Sequence, residues 1–209
     1  MDRFVLEAKE RMGEDLEVIR RVQRGELAAF EGLVRKYEPK IRGFCANILL
    51  DGDSAKDAAQ EVFLKAYQSV QTFRGDSSFS TWLYRIAVNH CRDMLRQRKR
   101  RFFWQTGPLE ESEPPQLLTD LSSLSETTEQ RNLLEQLLKQ LSADHREVLV
   151  LREGHDLSYE QIAAALGCSL DAVKARIKRA RKELIEHSRH LMRGDDVDTD
   201  DGGRPDEAL

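Results

Sequence analysis

Residues 157–184, LSYEQIAAALGCSLDAVKARIKRARKEL, decide the fold. Ser158 and Gln161 stand three apart ahead of an apolar run. That is the spacing of a capping box, in which a hydroxyl and a side-chain amide satisfy the orphan N–H groups of a helix start reciprocally. The helix should stop at Gly167, where a left-handed C′ residue is wanted. Ser169 then caps a second helix with Val173, Ile177, Ala180 and Leu184 turned inward. Short helix, glycine turn and basic second helix make a helix-turn-helix pattern. A major groove about 12 Å wide admits one such helix, and its exposed face reads base edges. The outward positions include Asp171, Lys174, Ala175, Lys178 and Arg179. Lys and Arg can meet guanine edges or phosphates, and Ala175 offers an apolar contact such as to a thymine methyl. Arg176, Arg181 and Lys182 are expected to face other sides and act on phosphates.

Upstream of this motif, Leu133, Leu134, Leu137, Leu138 and Leu141 recur at helical spacing, and Ser142 can cap a helix containing Val148, Leu149 and Leu151. Before that, residues 107–129 hold six acidic residues, no basic one and three prolines, which reads as a flexible linker between two domains. Leu117, Leu118, Leu121 and Leu124 leave it some capacity to dock on a partner.

The first half is also helical. Phe30, Leu33, Val34, Tyr37, Ile41, Phe44, Cys45 and Ile48 share one stripe, which Pro39 should kink or interrupt. Asp51-Gly52-Asp53-Ser54 reads as a turn and N-cap for a helix with Ala59, Val62, Phe63, Ala66, Tyr67 and Val70 inward. Residues 73–78 break the periodicity as a structured loop. A third helix begins near Phe79, with Trp82, Leu83, Ile86, Ala87, His90 and Met94 on its apolar side. No segment shows strand periodicity, so the fold class is all-α.

The 209 residues carry a formal net charge of −4, which conceals a segregation. Residues 85–101 hold seven basic residues against Asp93, and residues 174–182 hold six against none. Residues 194–209 reverse the sign, with seven acidic residues against Arg204. Two basic islands separated and followed by acidic stretches point to a polyanion held at two places. Seven of the fourteen aromatics lie between Phe73 and Trp104, interleaved with Arg and Lys. These are Phe73, Phe79, Trp82, Tyr84, Phe102, Phe103 and Trp104. Aromatic faces stack unpaired bases while cations hold the backbone, which suits single-stranded nucleic acid. For Phe79 and Trp82 a core role competes with that reading. Asn89, one to two turns past Trp82, could hydrogen-bond an extruded base.

Enzymatic constellations are not evident: there is no Gly-rich phosphate loop, HExxH or deaminase signature. His187 and His190 have helical metal-pair spacing but no further ligands nearby, so no metal or cofactor is expected. Cys45, Cys91 and Cys168 lie far apart in sequence and read as buried hydrophobes in a reduced, cytoplasmic setting. The first residues lack the apolar core of a signal peptide, and no apolar run approaches the ~18 residues needed for a membrane span.

Three motifs in order now carry a family resemblance. Residues 57–67, DAAQEVFLKAY, then 73–101, FRGDSSFSTWLYRIAVNHCRDMLRQRKRR, then 157–184, resemble bacterial RNA polymerase sigma factors of the extracytoplasmic-function (ECF) class, most closely its σE-like branch. The likeness covers about residues 15–190 and implies two helical domains, σ2 and σ4. Their expected bounds are 15–105 for σ2, 106–129 for the linker, 130–192 for σ4 and 193–209 for a disordered acidic tail.

The resemblance implies that Asp57, Gln60, Glu61, Phe63 and Lys65 bind the β′ clamp helices of core polymerase. It implies that Phe73, Gly75, Asp76, Ser77 and Asn89 hold a flipped base of the −10 element, with Arg96 contacting the DNA beside it. Lys174, Ala175, Lys178 and Arg179 match positions that read the −35 element. Further implied partners are the polymerase β flap and an anti-sigma regulator. The acidic linker is expected to thread toward the basic RNA-exit side of the polymerase. The chief rival reading is a stand-alone helix-turn-helix regulator that binds its operator without polymerase, but it leaves residues 57–67 and the aromatic loop unused.

Overall fold

The computed structural model describes residues 3–106 and 128–193, so residues 107–127 of the linker and 194–209 of the acidic tail lie outside these described residues. Eight α-helices follow in order: α1 (Arg3–Gln23), α2 (Ala28–Leu49), α3 (Gly52–Ser69), α4 (Phe79–Thr106), α5 (Thr128–Gln140), α6 (Ala143–Leu149), α7 (Tyr159–Leu166) and α8 (Leu170–Arg193). A 3₁₀ turn, Val70–Thr72, continues α3, and a π turn, Val150–Gly154, continues α6. There is no strand among the described residues.

The local stop and start signals are realised atom by atom. Asp51 caps α3, accepting from Ser54 N at 3.1 Å. Both halves of the Ser158–Gln161 capping box are made, at 3.2 and 2.8 Å. Gly167 ends α7 at φ 65°, and Ser169 accepts from Ala172 N at 3.2 Å to open α8. Pro39 does not interrupt its helix, since α2 runs unbroken through it. The proline costs one backbone hydrogen bond, and the buried stripe Leu33, Tyr37, Ile41 and Phe44 on the same helix outweighs that loss.

α1 has no counterpart in the sequence reading. It packs on α2 through Ile19 and Val22, and its Asp15 is buried, accepting from Tyr37 and from Lys36 Nζ at 2.6 Å.

Helices α1–α4 and α5–α8 form two units that dock directly on each other. Arg146 of α6 is 8% exposed and donates to three carbonyl oxygens. Two belong to its own unit, Leu138 at 2.8 Å and Leu141 at 3.1 Å, and the third is Ile48 at the end of α2, at 3.0 Å. Arg92 of α4 grips Glu147 of α6 with two hydrogen bonds at 2.8 and 2.6 Å. The His155 ring lies 5.1 Å from Tyr84 and 5.9 Å from Phe44 across the same seam.

Candidate nucleic-acid interface

On α8 the apolar residues Val173, Ile177 and Ala180 face α6 and α7, which turns the basic residues outward. Lys174, Lys178, Arg181 and Lys182 line one shallow groove with Tyr159 and Arg189. The expectation that Arg181 and Lys182 face away from Lys174 and Lys178 is thereby corrected. Offsets of four, seven and eight residues bring all four onto one face of a 3.6-residue helix. Ala175 and Arg179 are exposed on the flank beside this face, and Arg176 is half-buried. Several of these cations have acid partners: Arg181 meets Glu153 at 2.6 Å, and Lys182 meets Glu186 at 3.6 Å. Lys174 is only 3.5 Å from an almost fully exposed Asp171.

The loop before α4 is held from beneath. Gln23 Nε2 donates to Val70 O at 2.8 Å and to Phe73 O at 3.0 Å, so α1 fixes the loop's first corner. Gly75 sits at φ 83°, a left-handed conformation that a side chain resists. Ser78 Oγ accepts from Thr81 N at 3.1 Å and starts α4. Phe73 stacks edge-on against Trp82 at 5.3 Å and Phe79 at 6.2 Å.

Phe73, Phe79 and Tyr84 are buried, so they anchor the loop and the seam and present no face to a base. Trp82 is half-buried in the same cluster, whereas Arg74, Gly75, Asp76 and, one helix face along, Asn89 are exposed. Ser77 is half-buried at the rim. Phe102 and Trp104, farther along α4, remain exposed.

The first basic island divides into two groups. Arg92 belongs to the seam, and Arg98 donates at 2.6 Å to both Asp51 and Ser54, bracing the start of α3. Burial raises the Asp51 carboxyl, but the hydrogen bonds it accepts from the Ser54 hydroxyl and N–H, and then from Arg98, hold it below its usual range. Arg85, Lys99, Arg100 and Arg101 are exposed, as is Arg96, which pairs with Asp93.

On α3, Asp57, Gln60 and Glu61 are exposed, while Phe63 is buried. Lys65 is half-buried against His90 Nδ1 at 2.8 Å; burial first, and then the Lys65 charge, lower the His90 pKa. Sequence reasoning missed Leu64, which is 48% exposed and adjoins this polar patch. Its signal was available, since Leu64 falls one turn after Gln60 and outside the apolar stripe.

Among the described residues no cluster of His, Cys, Asp or Glu could hold a metal ion, and no helix is long and apolar enough to cross a membrane.

Comparison with known proteins gives a consistent answer. Residues 33–101 match the family model for sigma-70 region 2, and residues 131–184 match that for sigma-70 region 4. The chain is 38% identical over 192 residues to the RNA polymerase sigma-H factor of Pseudomonas aeruginosa, covering 86% of this chain and 96% of that one. It is 37% identical over 191 residues to the ECF RNA polymerase sigma-E factor of Escherichia coli K12, with the same coverage of both chains. Among solved structures, RpoE of Bartonella quintana in complex with the anti-sigma factor NepR superposes with a TM-score of 0.63 at 28% identity, covering 79% of this chain and 98% of that one. CnrH in complex with the cytosolic domain of CnrY gives a TM-score of 0.62 at 25% identity, covering 85% of this chain and 96% of that one. The chain belongs to the ECF class of sigma-70 RNA polymerase sigma factors.

Proposed function

We propose that this ECF sigma factor brings core polymerase to promoters through two separate contacts. In this reading α8 docks in duplex DNA at −35 through Lys174, Ala175, Lys178 and Arg179. The loop and α4 capture a base of the −10 element through Gly75, Asp76, Ser77 and Asn89, with Arg96 on the adjacent backbone. The observation that carries it is the pairing, in one chain, of an exposed basic face on α8 with an exposed polar loop braced by Gln23 and Phe73.

Extruding a base costs a few kcal/mol, and a pocket that accepts one base well recovers it, so strand opening becomes sequence-selective without ATP. Phe73 then acts by anchoring the loop. On α3 the polymerase contact is assigned to Asp57, Gln60, Glu61 and Lys65, with Leu64 as its apolar centre and Phe63 supporting it from the core.

The units are taken as residues 15–105 for σ2 and 130–192 for σ4, acting in the cytoplasm. Since the similar RpoE and CnrH are held by NepR and CnrY respectively, an anti-sigma partner is proposed here too.

Transcription of pooled genomic fragments by core polymerase, with and without the protein, tests the reading. Discrete new start sites sharing −35 and −10 elements are expected. A duplex shift by the protein alone, with no effect on core, would favour the stand-alone regulator.

A further inference from the structure

We propose that His90 is a positioning residue for the polymerase contact: its neutral ring holds the Lys65 ammonium in place on α3, and through it sets how tightly this chain binds core.

The partner of Lys65 is not the one its helix offers. Asp57, Glu61, Leu64 and Lys65 share one stripe of α3, at offsets of four, seven and eight residues. Glu61 stands four residues ahead of Lys65, the orientation that favours an ion pair within a helix. The ammonium turns instead across to α4, where Lys65 Nζ lies 2.8 Å from His90 Nδ1. An ammonium has N–H donors and no lone pair, so Nδ1 accepts and the ring proton sits on Nε2. Neither Lys65 nor Glu61 forms an ion pair among the described residues.

The result is a split charge pair. The imidazole fixes one donor of Lys65 and leaves the others for a partner, and the exposed Glu61 carboxylate stays open one turn away. Such a surface suits a partner that offers a carboxylate to Lys65 and a cation to Glu61 around the half-exposed Leu64. A lysine on a flexible stem loses rotamer freedom when it is fixed, and a bond already made in the free chain removes that cost from binding. His90 thus acts through Lys65 without touching the partner. That the partner is core polymerase rests on the reading of α3 given above.

The arrangement holds only while the ring is neutral. The charged groups facing it are Lys65 and Glu61 from α3 and Asp93, itself paired with Arg96, from α4. Burial first, and then Lys65, lower the His90 pKa against the opposing pull of Glu61 and Asp93, so the ring is neutral at pH 7.5. Polymerase laid over the half-buried pair removes further water and disfavours the imidazolium more. The complex therefore binds fewer protons than its separate parts, and affinity falls as pH drops below 6.5, the ordinary imidazole value.

Titration of core polymerase with the full chain tests the role of His90, using the natural sequence, His90→Leu, His90→Gln, Lys65→Met and the double variant of Lys65→Met with His90→Leu. His90→Leu should bind about fivefold more weakly at pH 7.5, and His90→Gln, whose amide oxygen can accept from Lys65, should recover most of that loss. In the Lys65→Met background, adding His90→Leu should change affinity little, because the bond is already gone. Between pH 7.5 and 5.5 the natural chain should lose about twofold more affinity than His90→Gln. A His90→Leu loss that persists in the Lys65→Met background, no loss at all, or parallel pH profiles would overturn the proposal. In the free chain, NMR titration of the His90 ring should show its pKa rising toward the ordinary value in Lys65→Met, and an unchanged titration would overturn the contact itself. Because that titration needs neither core nor promoter, it decides the Lys65–His90 contact even if the polymerase reading of α3 fails.

Discussion

Arg92 on α4 and Glu147 on α6 form a two-pronged ion pair that joins the two units of the chain, with Glu147 only 1% exposed and Arg92 partly open to solvent. Burial raises the Glu147 carboxyl above its usual range, against the two hydrogen bonds from Arg92 that pull it down. On the two-element reading proposed above, the docked arrangement cannot serve both promoter elements at once. Centres 25 base pairs apart lie about 85 Å apart at ~3.4 Å per pair. A compact chain of this length has a radius of gyration of about 17 Å. The seam must open when both elements are bound.

The two partners are not equivalent, and that asymmetry is testable. Arg92→Ala strands a buried carboxylate and should cost about 3 kcal/mol in urea unfolding of the full chain. Glu147→Gln keeps an acceptor and should cost about 1 kcal/mol. The thiols of Cys45 and Cys91, fully buried and 3.7 Å apart between α2 and α4, test whether opening of the seam reaches the core of the first unit. The contact with Cys45, and then burial, push the Cys91 thiol up, so in the native chain only the partly exposed Cys168 should alkylate quickly. Arg92→Ala should speed labelling of Cys91; equal rates in both chains would mean the seam does not govern access.

His155 makes the seam sensitive to acid. Its ring lies against Phe44 and Tyr84, and among the described residues its Nε2 has no hydrogen-bond partner. Burial first, and then Lys40, push its pKa down to about 4, against Asp156, which acts in the opposite sense. When exposed it titrates near 6.5, so the open or unfolded state binds the extra proton. Stability is therefore full above pH 6.5 and declines as pH falls toward 4, by up to about 3 kcal/mol. Urea midpoints between pH 7.5 and 5 should fall for the natural chain and stay flat for His155→Phe, which keeps the ring contacts. A parallel fall in both would assign the effect to other groups.

These elements differ in how far the sequence disclosed them. The Ser158–Gln161 box, Gly167 and Asp51 were legible because capping is local: donor and acceptor lie within a few residues. α1 was not, because its apolar stripe is sparse and Asp15, which reads as a surface acid, is buried against Lys36 and Tyr37. The seam was invisible because Arg146 and Glu147 look like an ordinary solvated pair in a short helix. Their burial follows only from an encounter between residues 98 positions apart, as in Arg146 and Ile48. The site was half legible. The exposure of Asn89 and Lys178 was readable from their helical positions, but an aromatic's burial depends on three-dimensional neighbours, so Phe73 and Tyr84 could not be separated from exposed Trp104 by spacing.

Gly75 tests whether the loop's shape matters apart from its chemistry. At φ 83° a β-carbon is strained, and it would also meet Leu16 Cδ1 at 3.4 Å. Gly75→Ala should cost about 1–2 kcal/mol of local strain. Opening of the −10 region should slow while binding to core stays unchanged. Permanganate footprinting beside a core-binding titration separates the two. Loss of core binding in step with opening would make Gly75 a determinant of the whole domain's fold.

Asn89 and Lys178 should fail in different ways, because one contact needs an unpaired base and the other a charged backbone. Asn89 is exposed on α4 beside the braced loop, so Asn89→Ala should leave closed-complex affinity nearly intact and reduce the open fraction on double-stranded promoters. A template already mismatched over −10 should remove most of the defect if Asn89 serves extrusion. If Asn89 instead stabilises the captured base, the defect should persist on that template. Lys178 is exposed and unpaired among the described residues, so a phosphate contact there releases about one counterion. Lys178→Ala should weaken promoter binding and make the slope of log K against log salt shallower by about 0.9. A weaker complex with an unchanged slope would move Lys178 from phosphate to base contact, since loss of a base-edge hydrogen bond changes affinity without changing the number of ions released.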